Sequence, residues 1–306
     1  MAVNRLNKVR RYAPLLVMAL PGLLYLLINN YIPMAGLVIA FKNYNYAKGI
    51  FGSDWVGLAN FEFLFKTKDA FIITRNTILY NIGFIFINTV VAIIVAIMLS
   101  EVANRIALRI YQTVILLPYL ISIIIVSYLV YSFLSVNVGF FNKTILPLLR
   151  LHEIAWYTEP KYWPVILNIV NLWKGFGFLS VIYLSSIVGI DRAMYEAMEL
   201  DGASRMGCIR HITIPMIVPT ISMMVLLAVG RIFYSDFGLF YQVPMNSGAL
   251  YSTTNVIDTY VYRVLLQLGD IGMSSATGLY QSVVGFVLVL LSNLIVRRVN
   301  PDNALF

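Results

Sequence analysis

Charge is scarce in this chain. Lys, Arg, Asp and Glu make up 12% of its 306 residues, against 60% hydrophobic, a balance outside the usual soluble range. A mean hydropathy of +0.81 points the same way, to an integral membrane protein. Acids are scarcer than bases, 14 against 22, for a net charge of +8. The basic residues are nevertheless spread over loops and chain ends, without the dense run or stripe that nucleic-acid binding needs. A single cysteine, Cys208, excludes an internal disulfide and fits a reducing compartment. No Gly-Lys dipeptide occurs, so the GxxxxGK[ST] phosphate cradle is absent and energy must come from elsewhere. HExxH, GxSxG and metal-spaced Cys/His clusters are also missing, and the two histidines are His152 and His211. The acids fall in loops or at the ends of apolar runs, which leaves no catalytic carboxylate pair. The reading is a non-enzyme with no metal and no cofactor of its own.

What is present is a series of apolar runs. Six spans are expected at residues 12–41, 77–99, 110–131, 164–188, 214–234 and 274–296. Each has roughly 20 residues or more, enough at ~1.5 Å per residue to cross a ~30 Å hydrocarbon core. The first run is too long for a signal-peptide core and lacks a cleavage pattern, so it reads as a retained span bent at Pro21 and Pro33. Residues 42–76 carry five bases and the amphipathic stretch WVGLANFEFLF from Trp55 to Phe65, an interfacial excursion. Two further connections, 132–163 and the polar, Gly- and Tyr-rich 235–273, read as long loops on the same face. Six spans place both termini together, beside the basic tail of Arg5, Lys8, Arg10 and Arg11. Lys and Arg are roughly twice as dense on that face, which makes it cytoplasmic by the positive-inside tendency. Arg297 and Arg298 anchor the last helix there.

The polar stretch GIDRAMYEAMELDGASRMGCIRHITIP, residues 189–215, interrupts the apolar pattern on the cytoplasmic face. Asp191 is a good N-cap, Arg192 to Asp201 contains strong helix formers, and Gly202 can take the positive φ that ends a helix. A second short helix from Ala203 to about His211 would present Met206 and Ile209 one turn apart. Ile212, Ile214 and Pro215 then return the chain to the bilayer. Two short amphipathic helices joined by a Gly turn make a knob with an apolar face and an acidic rim from Glu196 and Glu199. Such a knob suits docking into a partner's groove, although an ordinary surface loop has the same helical pattern.

The stretch resembles the EAA loop of permease subunits of binding-protein-dependent ABC importers: Glu-Ala-Ala, three residues, Gly, nine residues, Ile, one residue, Leu-Pro. Glu196, Ala197, Gly202, Ile212 and Pro215 match; Met198 and Ile214 depart, apolar for apolar. PGLLYLLINNYIPMAGLVIAFKNYN from Pro21, the Trp55 stretch, NLWKGFG from Asn171, DFGLFYQVPMNSGALY from Asp236, VIDTYVYR from Val256 and the terminal NPDNALF extend the likeness over nearly the whole chain. They are similar to the LplB- and YteP-like oligosaccharide permeases of the MalF-type carbohydrate branch. The resemblance implies an all-α permease domain of six transmembrane helices with the MetI/MalF-like type I fold, multi-pass in a bacterial cytoplasmic membrane with both termini cytoplasmic. It implies a second homologous permease as a heterodimer partner, two cytoplasmic ATP-binding subunits that use ATP-Mg, and an extracytoplasmic sugar-binding protein that delivers the oligosaccharide. Contact with the ATPases is then expected from Glu196, Ala197, Met198, Asp201, Gly202, Ala203, Met206, Ile212 and Pro215.

Two cations and one loop carry further expectations. Lys174 lies about ten residues into the fourth span, where an unpaired charge costs roughly 2.5–3.5 kcal/mol. With Asn171 and Trp173 it suits a sugar path, the indole stacking on a pyranose and the amide and ammonium bonding hydroxyls; alternatively, backbone carbonyls or the second permease hold it. Arg231 suits snorkelling to the outer interface. In the 235–273 loop, Asp236, Tyr241, Gln242 and Asn246 suit an outer gate or a contact with the binding protein, as they would a plain solvated loop. A secondary transporter and a membrane-embedded enzyme are the other classes. The first lacks clear membrane carboxylates or paired broken helices, and the second lacks a catalytic cluster. A non-sugar solute is the alternative cargo.

Overall fold

The computed structural model describes residues 2–299. The terminal motif NPDNALF lies wholly outside them, and the side chains of the basic tail at Arg5, Lys8, Arg10 and Arg11 lie outside them too. Among the described residues the regular elements are all helical, apart from one two-stranded ribbon. Among the described residues, five helical runs are long and apolar enough to cross a membrane, six if one sharply bent pair counts as a span. Contacts divide the chain into two units, Met1–Leu64 with Val264–Leu279, and Phe65–Arg263 with Tyr280–Phe306.

In the first unit, α1 (Ala2–Leu26) continues through a π turn at Leu27–Tyr31 and a 3-10 segment at Ala35–Phe41. The wide turn falls just before Pro33, whose missing N–H disrupts the regular ladder. The ribbon follows: β1 (Lys42–Asn43) runs antiparallel to β2 (Asp54–Trp55), with Lys42 opposite Trp55 and Asn43 opposite Asp54.

The second unit is built around a parallel helix pair. Helix α2 (Lys68–Ser100) starts nine residues before the expected span, because the Thr67 side chain caps it by accepting from the Ala70 N–H. It runs beside α5 (Trp163–Val188). Small residues bring the two together: an asparagine oxygen of each helix faces a glycine of the other, Asn168 against Gly83 and Asn88 against Gly175. Apolar clusters lie at both ends of the pair. Tyr80, Phe84, Trp163 and Leu167 pack with Leu239, Phe240 and Val256 at one end. Ala92, Ala96, Tyr183, Ile187 and Ile190 pack with Ile212 and Ile217 at the other.

The expected third span is broken. Helix α3 (Arg105–Leu120) and α4 (Ile123–Leu134) meet at a 92° bend through extended backbone at Ile121 and Ser122. Helix α6 (Arg192–Leu200) is the first half of the 189–215 insert. The expected second short helix is not free-standing: from Arg205 the chain is helical through a π turn at Ile209–Thr213 into α7 (Ile214–Val229), so Met206 sits on the first turns of the fifth span. Residues 235–273 are not an open loop either. They hold α8 (Phe237–Gln242) and α9 (Ile257–Arg263) and lead into α10 (Ile271–Val299), with Leu239, Phe240, Val243, Leu250 and Val256 filling the first cluster.

Candidate coupling surface and pathway residues

Helix α6 is a short rod defined at both ends by local chemistry. The Asp191 carboxylate accepts from the Ala193 N–H at 3.0 Å. At the other end Gly202 has φ +80°; the Ala203 N–H bonds the Met198 carbonyl and the Gly202 N–H that of Glu199, each at 3.0 Å. This double closure is a Schellman motif. The space around Gly202 is open, so the demand is for the sign of φ rather than for room.

Contacts to the bundle fix the rod's rotation. Tyr195 and Met198 pack on the cluster at this end of the helix pair, and the Tyr195 hydroxyl meets Thr213 Oγ1 at 3.0 Å. Arg205 reaches Glu101, beyond the end of α2, at 3.2 Å. Glu196, Ala197, Glu199 and Asp201 are therefore turned outward, with Leu200 90% exposed and Met206 69%. A cleft of about 350 Å³ opens beside them, lined in part by Glu101, Arg192, Glu196, Glu199, Arg205 and Cys208.

Of the residues expected at this contact, Glu196, Ala197, Asp201, Gly202, Met206 and Pro215 are exposed, while Met198 and Ala203 are half-buried. Ile212 is not available, being 4% exposed inside the core cluster. Leu200 is absent from the expected set, because the signature stops at Asp201 and Gly202 and gives no weight to an apolar residue between the acids and the turn. Its signal is the amphipathic period, which places it with Ala193 and Ala197.

Lys174 lies beside the break between α3 and α4. Its Nζ is 2.7 Å from the Ile121 carbonyl, 3.2 Å from Tyr119 and 3.5 Å from Pro118. These carbonyls end α3, where a helix leaves acceptors unsatisfied and a cation is favoured. Asn171 is engaged as well, its Oδ1 accepting from Asn88 Nδ2 at 2.7 Å, and Trp173 is exposed. Asn171 and Lys174 thus bond different helices, Asn171 to α2 and Lys174 to the end of α3. Asn88 is a polar partner that the sequence reading missed, lying in an apolar run without a motif. Arg231 is exposed in the turn after α7.

The outer candidates are also divided. Asp236 caps α8, accepting from the Leu239 N–H at 3.0 Å. Tyr241 stacks on Phe237, and Gln242 is half-buried. Asn246 lies in a buried network: it accepts from Arg263 Nη1 at 2.9 Å, and Arg263 also bonds Asn255 and Thr259 beneath the Tyr251 ring. Desolvation holds the Arg263 pKa below its ordinary value, and burial pushes the Asp258 carboxyl up. Among the described residues no group of three or more His, Cys, Asp or Glu is placed to hold a metal.

Residues 88–301 match the family described as binding-protein-dependent transport system inner membrane component. Protein LplB of Bacillus subtilis (strain 168) is 32% identical over 301 residues, 98% of this chain and 93% of that protein. The polygalacturonan/rhamnogalacturonan transport system permease protein YteP of the same organism is 32% identical over 288 residues, covering 94% and 89%. A chain in the crystal structure of a bacterial ABC transporter involved in the import of the acidic polysaccharide alginate superposes with a TM-score of 0.88 at 33% identity, over 97% of this chain and 99% of that one. A second structure holds the bacterial alginate transporter in complex with an alginate pentasaccharide-bound periplasmic protein; a chain in it matches with a TM-score of 0.87. These likenesses overturn the secondary-transporter and membrane-enzyme alternatives. The chain belongs to the binding-protein-dependent transport system inner membrane components, the permease subunits of ABC importers, and is a transport subunit rather than an ATPase.

Proposed function

We propose that this permease, paired with a second homologous permease, forms the membrane pathway of a bacterial importer for oligosaccharides delivered by an extracytoplasmic binding protein. LplB, YteP and the alginate importer support the carbohydrate cargo. Two cytoplasmic ATPases dock on α6 and the following turn, and their ATP-driven closure moves that rod against the ends of α2 and α5. The observation that carries this reading is a rigid rod capped by Asp191 and Gly202 whose outward side exposes Leu200 and Met206 beside Glu196 and Glu199. Exposed apolar side chains rimmed by acids, on a helix whose other side is pinned to the core, suit a partner groove. Tyr195 and Met198 transmit the motion, since they connect the rod to the packed end of the helix pair.

The test is Glu196→Lys and Leu200→Asp, made separately in the assembled transporter. Both side chains are exposed, so permease yield and melting temperature should stay unchanged. ATPase recovered with the permease should fall at least tenfold, about 1.4 kcal/mol of association, and sugar uptake should fall with it. Undiminished ATPase recovery and uptake in both variants would sink the assignment.

A further inference from the structure

The ribbon of the first unit carries a cluster of large side chains for which the importer machinery gives no reason. Phe51 is 82% exposed, Trp55 65% and Leu58 68%. All lie between Phe41, where the first candidate span ends, and the 3-10 segment at Ala59–Phe61.

Their presentation is built. Lys42 is buried, and its ammonium donates to the carbonyls of Ile50 at 3.0 Å and Phe51 at 2.8 Å. The same ammonium lies 5.2 Å from the centre of the Trp55 ring. One lysine thus draws its charge inside the finger and pins the backbone of the residue that points furthest out. Strand alternation sorts the rest: Lys42 and Trp55 share one face of the ribbon, Asn43 and Asp54 the other. Lys48 pairs with Asp54 at 2.8 Å, which gathers the finger's remaining charge on that polar side. Trp55 is also continuous with the span, since Phe41 packs against both Trp55 and Phe61.

We infer that the 42–58 finger is a lipid anchor, which lays Phe51, Trp55 and Leu58 into the headgroup and upper acyl region of the leaflet where the first run ends and keeps the Lys48–Asp54 side in water. A ring placed where a hydrophobic helix ends, with charge withdrawn from its face, matches the chemistry of the bilayer interface. A water-facing finger would leave these side chains solvated without compensation, and the polar side is the one that fits a soluble partner. The inference rests on the membrane-spanning character of the first run and is independent of how α6 couples to an ATPase.

Single cysteines at Phe51, Leu58 and, as the polar control, Lys48 test it in a Cys208→Ser chain. The variants are assembled with their partner subunits in nanodiscs of phosphatidylcholine and phosphatidylglycerol, spin-labelled, and read by power saturation with oxygen and with a nickel chelate. Labels at 51 and 58 should collide more often with oxygen than with nickel, and the label at 48 the reverse. Nickel accessibility above oxygen at 51 and 58 would mean that the finger stands in water. Immobilised labels shielded from both reagents would mean that a protein covers it. Either result overturns the proposal, and neither depends on transport activity.

Discussion

Residue identities divide the expected contact set by what each side chain can reach. Gly202 and Leu200 are neighbours with opposite duties, one supplying a left-handed backbone and the other an exposed apolar side chain. Ile212 belongs to the same signature yet is spent on the core. Lys174 shows the same division, because three carbonyls already claim its ammonium. Removing it should leave half-buried acceptors without their donor, a cost of about 1 kcal/mol. The expected outcome for Lys174→Met is a lower melting temperature in detergent with an unchanged KM for sugar in the transporter that still assembles. A raised KM at unaltered melting temperature would instead place the lysine on the cargo.

At the scale of elements, close approach is set by glycines. A Cβ built on Gly177 of α5 would lie 1.9 Å from the Ile115 carbonyl oxygen of α3, a backbone atom that no side-chain rotation can move away. Gly177→Leu should therefore force α3 off α5 and cost at least the 1–3 kcal/mol typical of overpacking, read as a drop in melting temperature and loss of the monodisperse complex in gel filtration. How much of this was legible depends on the range of the signal. Helix α6 could be read because the Asp191 cap and the Gly202 terminator are local, and both are where the sequence suggests. The bend at Ile121 and Ser122 could not, because the run Ile123–Leu134 stays apolar across it and Pro118 sits a turn earlier. The carbonyl it frees is bonded by a lysine more than fifty residues away in sequence, so no window along the chain reveals it. The 235–273 stretch was misread for a related reason: its helices are short, and Leu239, Val243 and Val256 are buried by α2, α4 and α5 rather than by a period of their own. The candidate site was legible in its turn and acids; for Leu200 the amphipathic period gives only its face, and its 90% exposure singles it out.

For the whole molecule the bend decides how many times the chain crosses, and therefore which termini share a side. Helix α2 begins beside the hairpin of α8 and α9, where Asn76 donates to the Asn255 carbonyl and Thr77 accepts from the Ile257 N–H. It ends beside the 189–215 insert, where Glu101 meets Arg205. Helix α5 also begins at the hairpin end, since the segment before it is tied there by Ser247 to Tyr157 and Thr253 to Pro160, and it runs to the insert. Two parallel helices joined in sequence need a return crossing between them, and only α3 with α4 can supply it. The 92° bend is then a broken span rather than a re-entrant loop, its freed carbonyls bonded by Lys174. Single cysteines in a Cys208→Ser chain, probed in intact cells with a membrane-impermeant maleimide, test this. Lys143→Cys should label from outside, whereas Ala103→Cys and Arg192→Cys should label only after permeabilisation. If position 143 labels together with 103 and opposite to 192, the pair does not cross. The chain then has five spans, and the shared cytoplasmic side read from the density of Lys and Arg fails with it.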